Sequence, residues 1–96
     1  MPTDTDLADL AQALGAPPRV RIVRMLVRNG RMSAGELVKQ LPLAQSTVSQ
    51  HLSVLRDAGL ISSQRDGAFV HYEANLPTLR RLTSMLGNLS LAGASR

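Results

Sequence analysis

The chain has no cysteine and no tryptophan, and one Phe and one Tyr are its whole aromatic content in 96 residues. Without thiols there is no disulfide, no thiolate metal site and no thiol redox sensor. Without large rings, any core has to be assembled from Leu, Val, Ile and Met. No apolar run approaches the roughly 20 residues of a membrane span. The first residues carry Asp4, Asp6 and Asp9 where a signal peptide would be basic and apolar, so a cytoplasmic chain with no membrane partner is expected. Enzymatic signatures are missing as well. There is no glycine-rich phosphate loop and no pair of carboxylates at a working spacing. Ser49, His51 and Asp57 could be strung into a triad on paper, but Ser49 and His51 point to different faces of one helix. No catalytic residue and no cofactor are assigned.

What the chain does contain is enough for one small domain, spanning residues 1–96. Its 44% hydrophobic content favours folding over disorder, and a core of this size is often completed by oligomerisation. Eleven basic against seven acidic residues give a net charge of +4, which favours a polyanionic partner. The charge is unevenly placed. The first segment is acidic, while Arg19, Arg21, Arg24, Arg28 and Arg31 make the next one basic. A solvated helix face accounts for most of that arginine run, with one or two of the five near phosphates.

Taken in order, Asp4 or Thr5 can cap a first helix over 4–14 that lines up Leu7, Leu10 and Leu14 and stops at Gly15. Pro17 and Pro18 suit the first turn of a second helix, where no N–H partner is lost. Its expected buried stripe is Val20, Val23, Leu26 and Val27, with Gly30 as the stop. Ser33 and Glu36 have capping-box spacing, Leu37, Val38 and Leu41 face inward, and Pro42 ends the third helix. A fourth helix from about residue 45 puts Val48, Leu52 and Leu55 on one stripe and leaves Gln45, Ser46, Thr47, Ser49 and Gln50 off it. That polar side is made of short hydroxyls and amides in place of the usual Glu and Lys, a composition suited to approaching base edges and phosphates. Gly59 then closes the helix. Residues 60–74 read as two strands around Asp66-Gly67, a strong hairpin signal. Asn75 and Pro77 open a last helix over 77–91, in which Leu79, Leu82, Leu86 and Leu89 repeat at the 3-4-3 spacing of a helix seam.

The segment STVSQHLSVLRDAGLI, with SAGELVKQL before it and ISSQRDGAFVHYE after it, resembles the winged helix-turn-helix of the ArsR/SmtB family of bacterial transcriptional repressors. The resemblance extends from about Leu14 to Tyr72. It implies a mainly α fold with a β-hairpin wing, five helices with the two strands between the fourth and fifth, in a dimer. It also implies a helix-turn-helix over 33–58, a wing over 60–74, and binding to operator DNA as a homodimer.

By the same resemblance Gln45, Ser46, Thr47, Ser49 and Gln50 reach the major groove, Gln45 and Gln50 being suited to bidentate contact with adenine. Arg56 either touches backbone or pairs with Asp57 or Glu36, and Arg65 can enter a minor groove. A polar face that serves only solubility is the alternative for the fourth helix. His51 matches the family motif and is taken as a packed, hydrogen-bonded side chain. The first and last helices, through Leu7, Leu10, Leu14, Leu79, Leu82, Leu86 and Leu89, would form a two-fold interface, with burial inside one chain as the alternative. Two half-sites about 34–36 Å apart, an imperfect inverted repeat, would follow.

The chain departs from the family pattern at Pro42, usually Gly, at Ala44, usually a Ser or Thr cap, and at Ala68, often basic. A late start or a borrowed cap is expected for the fourth helix, and weakened contact for the wing. The family's metal sites are not matched. Val38 and Gln40 stand where one site has Cys-x-Cys, and no Asp, Glu, His or Cys occurs between Pro77 and Arg96. Zinc and its neighbours need imidazole, thiolate or carboxylate ligands, so no metal or thiol sensing is expected. Release by a small organic ligand or by a partner protein is one alternative. A winged-helix module for protein assembly that does not bind DNA is the other.

Overall fold

A computed structural model describes residues 3–94, and side chains through residue 91. Of the ends expected to be loose, Met1 to Thr3 and the AGASR tail, Met1, Pro2, Ser95 and Arg96 lie outside the described residues, while Thr3 is held in a cap. Five helices and three strands follow in the order α1 Asp4–Ala13, α2 Pro17–Asn29, β1 Met32–Ser33, α3 Ala34–Gln40, α4 Gln45–Asp57, β2 Ile61–Asp66, β3 Phe69–Ala74 and α5 Leu76–Ala94. Their order and the sheet match a winged helix-turn-helix.

Local chemistry explains most of the boundaries. The cap of α1 is Thr3, one residue before the expected Asp4. Its hydroxyl accepts from the Asp6 backbone N–H, while the Asp6 carboxylate accepts from the Thr3 N–H, a closed box that Asp4 or Thr5 could not form. Ser33 and Glu36 make the expected box on α3. Leu41, held extended by Pro42, ends that helix. Helix α4 closes with Gly59 at φ +80. There the Leu60 N–H donates to the Leu55 carbonyl and the Gly59 N–H to the Arg56 carbonyl, which satisfies two carbonyls the helix leaves open and turns Leu60 into the core. Asn75 caps α5 by accepting from the Thr78 N–H. That helix runs to Ala94, beyond the expected end at Leu91.

The wing differs from expectation in one residue. The pairing is Asp66 with Phe69 and Arg65 with Val70, so the two-residue loop is Gly67-Ala68, not Asp66-Gly67. Gly67 has φ +62 and no residue other than glycine has positive φ among the described residues. Ala68 therefore sits at negative φ, and a turn needing the left-handed conformation only at its first central position takes Gly there and Ala next. The third strand, β1, was not foreseen. Met32 pairs with Tyr72 and Ser33 with His71, giving the antiparallel order β1-β3-β2.

The core is aliphatic, as the composition demands. Ile22, Leu26, Leu37, Val48, Leu52, Leu55, Leu60 and Ile61 are its largest fully buried side chains. Two expectations for α2 are corrected. Val20 and Val27 lie on the outside, Val27 being 52% exposed, and Ile22 is wholly buried in their place. The helix turns Ile22, Val23 and Leu26 to α4 and β3, and Val20 and Val27 lie on its outer side. The leucine seam also divides. Leu10 and Leu82 (7% exposed) are core residues of the single chain, with Met85, because α1 packs on α5. Leu7, Leu14 and Leu79 are half-buried against that core. Only Leu86 (51%) and Leu89 (64%) continue the stripe into solvent.

Candidate nucleic-acid interface

The site begins with the burial of Val48, Leu52 and Leu55. A helix that commits one stripe to the core must present the opposite side outward. That side carries Ser46, Gln50 and Ser53 at i, i+4 and i+7, all exposed. Gln45, Ser49 and Arg56, also exposed, form the ridge beside them, and Thr47 is half-buried on the other flank. The structure thus brings Gln45, Ser46, Thr47, Ser49 and Gln50 to one helix with their donors and acceptors unburied. Sequence reasoning missed Ser53, although its spacing from Ser46 and Gln50 is the signal that finds it.

No carboxylate lies on this side before Asp57 at the last turn, so the first three turns carry nothing that repels phosphate. Helix α4 starts at Gln45 without a side-chain cap, Ala44 occupying the cap position. The departure from the family pattern thus delays nothing and recruits no substitute. Its first amides are left for solvent or for an anion. Across the turn, Pro17, Pro18 and Arg21 of α2 and Leu41, Pro42 and Leu43 line a shallow cleft beside the entry into the helix. Arg56 is exposed near the far end, and the Glu36 carboxylate is occupied by Ser33 instead of by Arg56.

The wing lies on a different element. Arg65 is exposed and shares a face of the ribbon with Val70, while Phe69, 67% exposed, shares the other with Asp66. The acid at the tip offsets Arg65. At the base of the ribbon, Arg31 donates to the Gln64 side chain at 3.2 Å and fastens the wing to the segment after α2.

His51 is half-buried beside the core stripe, its Nδ1 3.4 Å from the Arg19 guanidinium. That is the packed, hydrogen-bonded arrangement expected of it, but its partner was unforeseen, because Arg19 had been counted with the solvated arginines. Among the described residues no group of three or more His, Cys, Asp or Glu side chains could hold a metal ion. No helix is long and apolar enough to cross a membrane among those residues.

The sequence profile of the bacterial regulatory proteins of the arsR family matches residues 16–63, which spans α2 through the start of β2. The HTH-type transcriptional regulator YgaV of Escherichia coli K12 is 38% identical over 85% of this chain and 83% of its own length. The transcriptional repressor SdpR of Bacillus subtilis 168 is 32% identical over 72% and 76%. Among solved structures, an ArsR-like transcriptional regulator from Rhodococcus sp. RHA1 superposes with a TM-score of 0.87 at 27% identity, covering 96% of this chain and 86% of that one.

Proposed function

This chain belongs to the arsR family of DNA-binding transcriptional regulators, and from that premise we propose that it represses transcription as a cytoplasmic homodimer seated on an imperfect inverted repeat. The observation that carries this proposal is the exposed Ser46, Gln50 and Ser53 side of α4, free of acids until Asp57 in its last turn. Gln45 and Gln50 are assigned to base edges, where a carboxamide can bond an adenine through two atoms. Ser46, Thr47, Ser49 and Arg56 are assigned to phosphates that fix register, with Ser53 added to them. Arg65 is the wing's contact. Leu86 and Leu89, with half-buried Leu7, Leu14 and Leu79 behind them, supply the two-fold seam; Leu10 and Leu82 support it from within. An organic ligand or a partner protein, not a metal, is the signal this ligand-poor side-chain set accommodates.

Titrating salt against affinity for fragments selected by the protein from a random DNA pool tests the proposal. Phosphate binding releases counterions, so log affinity should fall linearly with log salt at a slope near −0.9 per phosphate contacted. An affinity flat in salt would favour a protein-assembly module instead.

A further inference from the structure

We propose that Arg19 is a positioning residue that fixes how far apart the two DNA-reading helices of the dimer stand. This inference rests on the two-fold reading above. Arg19 begins in the first turn of α2, yet its side chain serves two other elements. Its Nε donates to the Ala13 carbonyl at 2.6 Å and one terminal nitrogen to the Gln12 carbonyl at 3.3 Å. The other terminal nitrogen faces His51 Nδ1 of α4 at 3.4 Å. The last turn of α1 contains no basic residue of its own, and its open carbonyls sit at the negative end of the helix. A guanidinium answers both needs, because its planar fork can address several acceptors at once in a fixed geometry. Since guanidinium nitrogens only donate, a hydrogen bond between Arg19 and His51 has Nδ1 as its acceptor.

The chain is shaped to allow this. A Cβ on Gly15 would lie 3.1 Å from the Gln12 carbonyl oxygen, so glycine suits the tight link between α1 and α2 that brings Arg19 over the helix end. Elsewhere α1 rests mainly on α5, and α2 on β3 and α4. Between α1 and the far half of α4 lies an open cleft of about 600 Å³ lined by Asp9, Ala13, Val54, Asp57 and Arg81. Side-chain packing leaves that space open, and at its edge Arg19 bonds both helices. Helix α1 belongs to the proposed dimer seam and α4 to the DNA contact; whatever fixes one against the other fixes the separation of the two copies of α4.

The test uses the full chain and DNA fragments selected by the wild type, with the spacer between half-sites lengthened or shortened by up to two base pairs. Two base pairs rotate one half-site by about 70° relative to the other. Wild type should discriminate the best spacer from the worst by about tenfold or more, and Arg19→Met and His51→Leu by less than about threefold. Both should keep wild-type affinity for a fragment with a single half-site, which a general loss of structure would not spare. His51→Asn, which retains an acceptor, should keep the wild-type preference. If Arg19→Met fails to fold, His51→Leu decides alone. Sharp spacing preference in the folded variants would overturn the role of Arg19 only, whereas a wild type indifferent to spacing would overturn the two-fold reading and this role together.

Discussion

At the scale of single residues, the consequential positions are those whose polar atoms have either no partner among the described residues or a committed one. Gln50, at the middle of the exposed side of α4, belongs to the first kind. Replacing it with Ala should relax discrimination between operator variants at one base pair by about 1–3 kcal/mol while leaving the salt slope alone; binding measured across a panel of single-base variants checks this. Glu36 is of the second kind. Hydrogen bonds from Ser33, backbone first and side chain second, hold its pKa below the ordinary glutamate range against an opposing desolvation, with smaller help from His71 and Lys39. A carboxyl depressed in the fold contributes stability that is complete above its unfolded value and disappears as pH falls through the folded one. Wild type should therefore lose stability relative to Glu36→Gln as pH drops below about 4, with no change in their difference near neutrality. Denaturant midpoints across that range decide it. Arg19 shows the limit of reading residue by residue. Five arginines in thirteen positions look like one solvated face, and nothing local distinguishes the one whose partners are six and thirty-two residues away.

At the scale of elements, the helices were legible and the details of the sheet were not. Capping residues, prolines and glycines are local signals, so α2, α3, α4 and α5 begin where their sequences say they should, to within a residue. Strand β1 is two residues long and has no alternation to read; it exists because β3 offers it an edge. The hairpin loop was misplaced by one because Asp-Gly suits one turn and Gly-Ala another, and the cross-strand register chose between them. The stripe of α2 was misassigned for a related reason: a helix with apolar residues at 20, 22, 23, 26 and 27 can bury either side, and α4 and β3 selected the one containing Ile22. Helix α4 keeps one local defect, the unfilled cap at Ala44. Ala44→Ser should raise stability by about 0.5–2 kcal/mol, and an unchanged unfolding midpoint would mean that a solvent molecule already serves the open amides as well.

For the whole molecule, the question is what belongs to one chain and what to two. Leu82 and Leu89 are one heptad apart on α5 and look equivalent in the sequence. Yet the first is sealed beneath α1, and the second lies past the edge of the core. Their variants should fail differently. Leu82→Ala should cost about 2–5 kcal/mol of stability at a fixed protein concentration. Leu89→Glu should leave a folded chain by circular dichroism that sediments at half the wild-type mass. A Leu89→Glu protein that still sediments as a pair would move the seam away from α5. The distinction was beyond reach of periodicity, which reports an apolar stripe and is silent about how much of its length a neighbour covers.

On the proposed two-fold seam, that uncovered stretch of α5 ties the regulator to its own copy number. Two protomers would have to meet before its leucines leave water, so the amount of assembled species would grow as the square of the total at low expression. Doubling synthesis from a weak promoter would then quadruple the DNA-competent form, and a threshold in gene silencing could arise from mass action alone, before any signal is bound.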